Sequence, residues 1–197
     1  MRYQADGIIP GMNGGMQADQ VRVHLQAPES DHAREFLAAV AASRSLHRPW
    51  VSPPATLAAY QAYVARSGKD DFQSVLIRRN EDAALVGLAN LSAIQRGNLQ
   101  SAYLGFYAFV PYAGLGYMTE GLILVLRHAF GELSLHRVEA NVQPANTASL
   151  ALVERVGFQR EGFSPRYLRI AGAWRDHERW AALADEWPDR ASGRGAP

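Results

Sequence analysis

A chain of 197 residues, 48% apolar and 20% charged, has the length of one domain, which buries most of its surface without covalent staples. Twenty basic against nineteen acidic side chains leave a formal charge of +1, so no broad electrostatic footprint for nucleic acid or an anionic membrane exists. The absence of cysteine excludes disulfides, cysteine-ligated zinc, thiol redox chemistry and a cysteinyl covalent intermediate.

Met1 to Ala18 is rich in glycine and polar residues and lacks the apolar run of a signal peptide, so it reads as a flexible leader. Val21, Val23 and Leu25 alternate with polar neighbours and predict a first strand. Ser30 or Asp31 is suited to cap a helix running to about Ser45, with Phe36, Leu37, Val40 and Ala41 inward. Pro49, Pro53 and Pro54 impose a loop around Trp50, and Pro54 fits the first turn of a second helix ending near Gly68. Phe72 to Arg79, Ala84 to Ile94 and Leu99 to Phe109 read as strands. Their turns are too short for anything but antiparallel neighbours. After Pro111 to Gly116 comes an apolar helix to about Phe130, then a strand, Arg137 to Val142, and a helix, Asn146 to Val156. A hairpin closes the order, Phe158 to Ile170 and Ala173 to Leu183, turned at Ala171-Gly172.

The predicted fold is a mixed-sheet α/β domain over residues 19–187: an antiparallel meander, one βαβ crossover and a C-terminal hairpin. Residues 188–197 have the composition of a disordered tail. The longest apolar runs, Phe36 to Ala42 and Leu122 to Leu126, fall far below the roughly 20 residues of a spanning helix, and a cytoplasmic location is expected.

Gly114-Leu115-Gly116 lies between a strand and a helix, where glycines let the main chain approach a ligand and the first helical amides lack internal partners. That combination seats a phosphate. Thr119 stands where a Rossmann fingerprint requires glycine, and Lys69, the only lysine, is too distant for a P-loop. A diphosphate here, on a sheet with one crossover, suits coenzyme A; a plain strand–helix turn uses the same glycines. Downstream, Asn146 is placed to cap its helix, Ser149 falls in the first turn and Gly157 ends it. An ordinary capped helix explains Asn146 and Gly157.

With VGLANLS from Val86, Arg96-Gly97, YLGF from Tyr103, GLGYMTE from Gly114, HRVEAN from His136, Asn146 to Phe158 and GAWRDH ending at His177, the sequence resembles the GNAT N-acetyltransferases. Within them it is most similar to the RimJ/RimL ribosomal-protein-alanine group, RimJ above all, over roughly residues 20–185. The resemblance implies the GNAT fold and acetyl-CoA-dependent transfer to an amine. The loop Gln/Arg-x-x-Gly-x-Gly/Ala then holds the pyrophosphate. Gly114 and Gly116 match it, but Pro111 at the first position brings no donor, leaving the amides of Ala113, Gly114, Leu115, Gly116 and Tyr117. The strand ending at Phe109 and the strand Arg137 to Val142 bracket the pantetheine, which Asn146 hydrogen-bonds. A backbone amide near Tyr107 to Phe109 holds the thioester carbonyl. The tyrosine acid of many members is replaced by Val153, and the RimL-like serine corresponds to Ser149, which donates to the leaving sulfur.

The family's usual glutamate aligns with Asn141, which takes no proton. Glu139, on the same strand face, is the first candidate base, the alternative being a structural salt bridge; His177 and Asp176 come next. The loop His47-Arg48-Pro49-Trp50 and the hairpin form the acceptor groove, with Trp50, Tyr107 and Asn141 on the substrate side. No HExxH or similar spacing links the six histidines, so no metal is expected. The expected partners are acetyl-CoA and an amine, the first choice being a ribosomal-protein N-terminus. A small amine (antibiotic or polyamine) acceptor and a non-catalytic acyl-CoA-binding module are the alternatives. The hairpin's strand edges suit a homodimer, and neither nucleic acid nor membrane contact is expected.

Overall fold

Apolar strands, buried on both faces in β2 and β3, and short polar turns produce the meander. In a computed structural model, which describes residues 21–187, β1 (Val23–Gln26), β2 (Phe72–Arg79), β3 (Leu85–Gln95) and β4 (Ser101–Ala108) pair antiparallel in sequence order. The leader of residues 1–18 and the tail of residues 188–197 lie outside the described residues. α4 (Tyr117–Phe130) crosses over to β5 (Arg137–Val142), which runs parallel to β4. α5 (Thr147–Val156) leads to the hairpin β6 (Gln159–Ile170) and β7 (Ala173–Leu183). β7 lies inside the sheet, giving the order β1-β2-β3-β4-β5-β7-β6 and making the polar β6 an edge.

Each sheet face has its own core. One gathers Val75, Ile77, Val86, Leu104, Val138, Ala140 and Trp180 under α4 and α5. The other packs Leu76, Leu88, Tyr107 and Phe109 against α1 (Ala33–Ala42) and α3 (Leu57–Ser67). No residue of β5, β6 or β7 belongs to this second core, so α1 and α3 leave its half of the sheet to the site. α4 is buried nearly all round, packed on the sheet beside α5. At Gly121 a β-carbon would stand 2.7 Å from Ile77, so only glycine lets the helix come this close.

The first helical region differs from expectation. Glu29, rather than Ser30 or Asp31, begins it in a reciprocal capping pair with His32, followed by a 3-10 turn over Ser30–His32. α1 stops at Ala42, not Ser45, and a separate turn, α2 (Arg44–His47), follows. Ser43 causes the break: its buried hydroxyl accepts the Val110 N–H from across the fold, at 3.1 Å. Ala33, Phe36 and Val40 face inward, while Ala41 is exposed. α3 begins after Thr56, whose Oγ1 accepts the Ala59 N–H, so Pro54 precedes the helix. Among the described residues, no helix is long and apolar enough to cross a membrane.

Candidate active site

β4 and β5 pair only from Ser101–Arg137 to Tyr103–Glu139, then separate. The Phe109 N–H meets the Val86 carbonyl at 2.9 Å, so by the alternation of an antiparallel ladder Phe106 and Ala108 turn their polar groups away from β3, into the gap. Farther along that edge, His47 Nε2 donates to the Ala108 carbonyl at 2.9 Å and Ser43 receives the Val110 N–H. The open part of β4 is therefore short: the C=O of Leu104, the N–H and C=O of Phe106 and the N–H of Ala108.

The glycine loop stands at the end of β4. Gly114 and Gly116 have φ of 81° and 88°, left-handed values that favour glycine. Tyr112 N–H bonds to Phe109 and Leu115 N–H to Tyr112. The amides of Ala113, Gly114 and Gly116 find no acceptor among the described residues, and those of Tyr117 and Met118 open α4 as its first orphan donors. The expected Leu115 amide is thus engaged; the other expected amides are without acceptors among the described residues. Arg22 braces the loop, its Nε 2.7 Å from Glu120, its Nη2 donating to the Leu115 carbonyl at 3.2 Å and its guanidinium 4.4 Å over the Tyr117 ring. Sequence reasoning missed Arg22, because its partners lie more than ninety positions away and β1 periodicity shows only an outward polar residue.

At the opposite wall, Asn146 caps α5, its Oδ1 accepting the Ser149 N–H at 3.2 Å. Its NH2 therefore remains a donor. The half-buried Ser149 hydroxyl has no protein partner among the described residues and lies in the first turn, where the helix field favours negative charge. Phe109 does not match its expected role. It is fully buried against Phe36, His47 and Tyr107, and its amide is engaged by Val86. Of the amides expected to face a thioester carbonyl, that of Ala108 is the one turned to the gap.

Glu139, Asn141, His177 and Arg179 share the face away from the α4–α5 core. Glu139 accepts Arg137 Nε at 2.8 Å, and Arg137 Nη1 also reaches Glu161 at 2.9 Å, the salt-bridge alternative of the sequence reading. Tyr103 is pushed up to about 12 by its hydrogen bond to Tyr167 and by burial, and so remains protonated at neutral pH. His177 is buried; its Nδ1 lies 3.0 Å from the Arg175 carbonyl and must carry the proton, which leaves the Nε2 lone pair free to accept one. Burial holds its pKa below the ordinary histidine value. The pairing of Val142 with Glu178 sets His177 level with Gln143, at the open end of β5. The Asn141 Oδ1 and Tyr107 hydroxyl are buried without partners among the described residues, and burial raises the Tyr107 phenol above its ordinary value. Trp50 joins this rim through its carbonyl, which accepts Gln143 Nε2 at 3.4 Å.

Residues 22–159 match the acetyltransferase (GNAT) domain family. YjcK of Bacillus subtilis, named a probable N-acetyltransferase, is 40% identical over 121 residues, 61% of this chain and 67% of that protein. The ribosomal protein uS5-alanine N-acetyltransferase of Escherichia coli is 36% identical over 107 residues, 54% of this chain; the chain thus spans about half of that relative, 55%. Mycobacterium smegmatis RimJ, solved in complex with CoA-disulfide, superposes with a TM-score of 0.78 at 30% identity, covering 87% of each chain. The split between β4 and β5, the free loop amides and the matched sequence agree: the chain belongs to the GNAT acetyltransferase family.

Proposed function

We propose that this chain transfers an acetyl group from acetyl-CoA to the N-terminal α-amine of a protein. The observation that carries the reading is the short open edge of β4 at Phe106 and Ala108, adjoining the free amides of Ala113, Gly114, Gly116, Tyr117 and Met118. The amides and the α4 field hold the diphosphate. An amide-bearing pantetheine arm adds to β4 in place of the missing neighbour, as an extended segment adds to a sheet edge. The Asn146 NH2 donates to one of its carbonyls.

In the reaction the neutral amine attacks the thioester carbon, its N–C bond forms and the C–S bond breaks, while the amine proton passes to a base and the thiolate gains one. The Ala108 N–H stabilises the developing oxyanion. Ser149 donates to the sulfur at the mouth of α5, where the helix dipole also favours the thiolate. His177 Nε2 is the better base than Glu139. Its lone pair is free and it lies at the open end of the sheet, whereas the Glu139 carboxylate is held by Arg137. Trp50, Tyr107 and Asn141 bound the acceptor side. The name of the uS5 enzyme and the likeness to RimJ support a protein α-amine over a small one.

Calorimetry with CoA, joined to thiol release on matched panels of peptides and small amines, tests this. Saturable uptake and turnover on free peptide α-amines are expected. Turnover confined to small amines overturns the acceptor, and uptake without turnover overturns the catalysis.

A further inference from the structure

The segment between α1 and the Trp50 loop touches both lips of the gap. On the β4 lip, the Ser43 hydroxyl accepts the Val110 N–H at 3.1 Å and His47 Nε2 donates to the Ala108 carbonyl at 2.9 Å. Both side chains are buried, and the imidazole stands edge-on to Tyr107 and Phe109, with ring centres 5.1 and 5.7 Å away. Its Nδ1 is buried without a partner, so Ala108 is the one group that ring hydrogen-bonds among the described residues. On the β5 lip, Gln143 Nε2 donates to the Trp50 carbonyl at 3.4 Å. Between these anchors run only α2 and the turn after it, where the N–H groups of Trp50 and Val51 return to the His47 carbonyl at 2.8 and 3.0 Å.

We infer that residues 43–50 form a strap that sets where the free edge of β4 ends and how far its lips stand apart, with His47 as its positioning residue. The inference rests on the gap being the seat of the acyl carrier. An unpaired strand edge offers equivalent docking registers two residues apart, about 6.6 Å along the strand. Were the Ala108 carbonyl and Val110 N–H open as well, an amide-bearing arm would find a second register and carry its thioester past the reacting groups. By occupying both, Ser43 and His47 leave one register. Because the same segment reaches Gln143, the acceptor-side Trp50 is held in fixed relation to that register.

The test uses the full chain with five measurements of kcat and CoA affinity: unaltered protein, His47→Ala, His47→Gln, Gln143→Ala and the His47→Ala/Gln143→Ala pair. His47→Ala is expected to lower kcat at least about tenfold through misplacement of the thioester, while CoA affinity, which the loop amides dominate, changes less than about threefold. His47→Gln carries an amide N–H that can reach Ala108 and restores most of the rate. Gln143→Ala lowers kcat several-fold, and the pair is no slower than His47→Ala alone, because both changes cut one strap. Unchanged kcat in His47→Ala, no rescue by glutamine, or losses that multiply in the pair overturn the inference. Should His47→Ala fail to fold, Gln143→Ala and His47→Gln decide it: full turnover in the former, or a lost rate in a folded His47→Gln, overturns the strap. No CoA uptake by the unaltered protein overturns the reading of the gap and the strap with it; uptake with full turnover in His47→Ala overturns the strap alone.

Discussion

Two residues at helix mouths give the proposed reaction its sharpest tests. Ser149 does one structural job with its backbone, giving its N–H to Asn146, and its hydroxyl has no protein partner among the described residues. Ser149→Ala should therefore leave the cap intact. If Ser149 is the proposed proton donor, a fall in kcat on the order of 10²-fold is expected, with CoA affinity unchanged; full kcat would reduce Ser149 to part of a cap. Gly116 is the second. Its φ of 88° strains any side chain, and a β-carbon would lie 3.1 Å from Arg22 Nη2, the brace of the loop. Gly114 has the same handedness but open space around it. Alanine at either position costs about 1–2 kcal/mol of backbone strain, but only Gly116→Ala also displaces Arg22. CoA affinity should fall further in Gly116→Ala than in Gly114→Ala, by calorimetry; equal losses would mean that Arg22 braces nothing the ligand feels.

At the scale of elements, α4 poses a contest between propensity and packing. In an exposed helix, alanine in place of glycine gains roughly 1 kcal/mol. At Gly121 the new methyl would meet three Ile77 atoms at 2.7–3.1 Å, on a fully buried side chain that cannot yield. Overpacking costs about 1–3 kcal/mol, so Gly121→Ala should destabilise the protein in urea titrations, and a stabilised variant would show that α4 stands farther from β2. The same contrast explains what was legible in the sequence. The strands were, because apolar runs bounded by turn residues are local, as is the alternation of β1 and β5, from which the bounds of β5 follow. The glycine loop and the Asn146 cap were legible because each is a local backbone requirement. The break at Ser43 was not, since the Val110 amide that captures its hydroxyl lies 67 positions on. Glu139 was ambiguous for a related reason: an arginine two residues away on the same strand face can neutralise it, and only the pairing of β6 with β7 brings Glu161 to complete that network. Phe109 was assigned to the site by its position at the end of β4, but the pleat turns it inward.

For the molecule as a whole, buried histidines set how stability follows pH. His47, His128 and His177 are each held below the ordinary value of 6.5, with burial the larger cause every time. His128 Nε2 faces Gln73 at 2.9 Å, and the Nδ1 atoms of His47 and His128 are buried without acceptors among the described residues, where a second proton on either ring would be unpaired. In the unfolded chain all three titrate near 6.5; below that value the unfolded state binds more protons than the native one. The stability they contribute is then complete above about pH 6.5 and is lost as pH falls below it. Glu161 has the same sign but a lower window: it is held below its ordinary 4.5 first by Arg137, and its contribution persists until pH falls beneath that value. Between about pH 7.5 and about pH 5 the histidines therefore dominate, and Tm should drop, each kcal/mol appearing as about 2–4 °C in a domain of this size. His128→Gln isolates one of them far from the gap. Its Tm at pH 7.5 is expected to be lower, for the lost packing, but its drop on acidification smaller, because one proton-binding difference is gone. A drop as large as that of the unaltered protein would show that His128 is already charged, or already solvated, in the native fold.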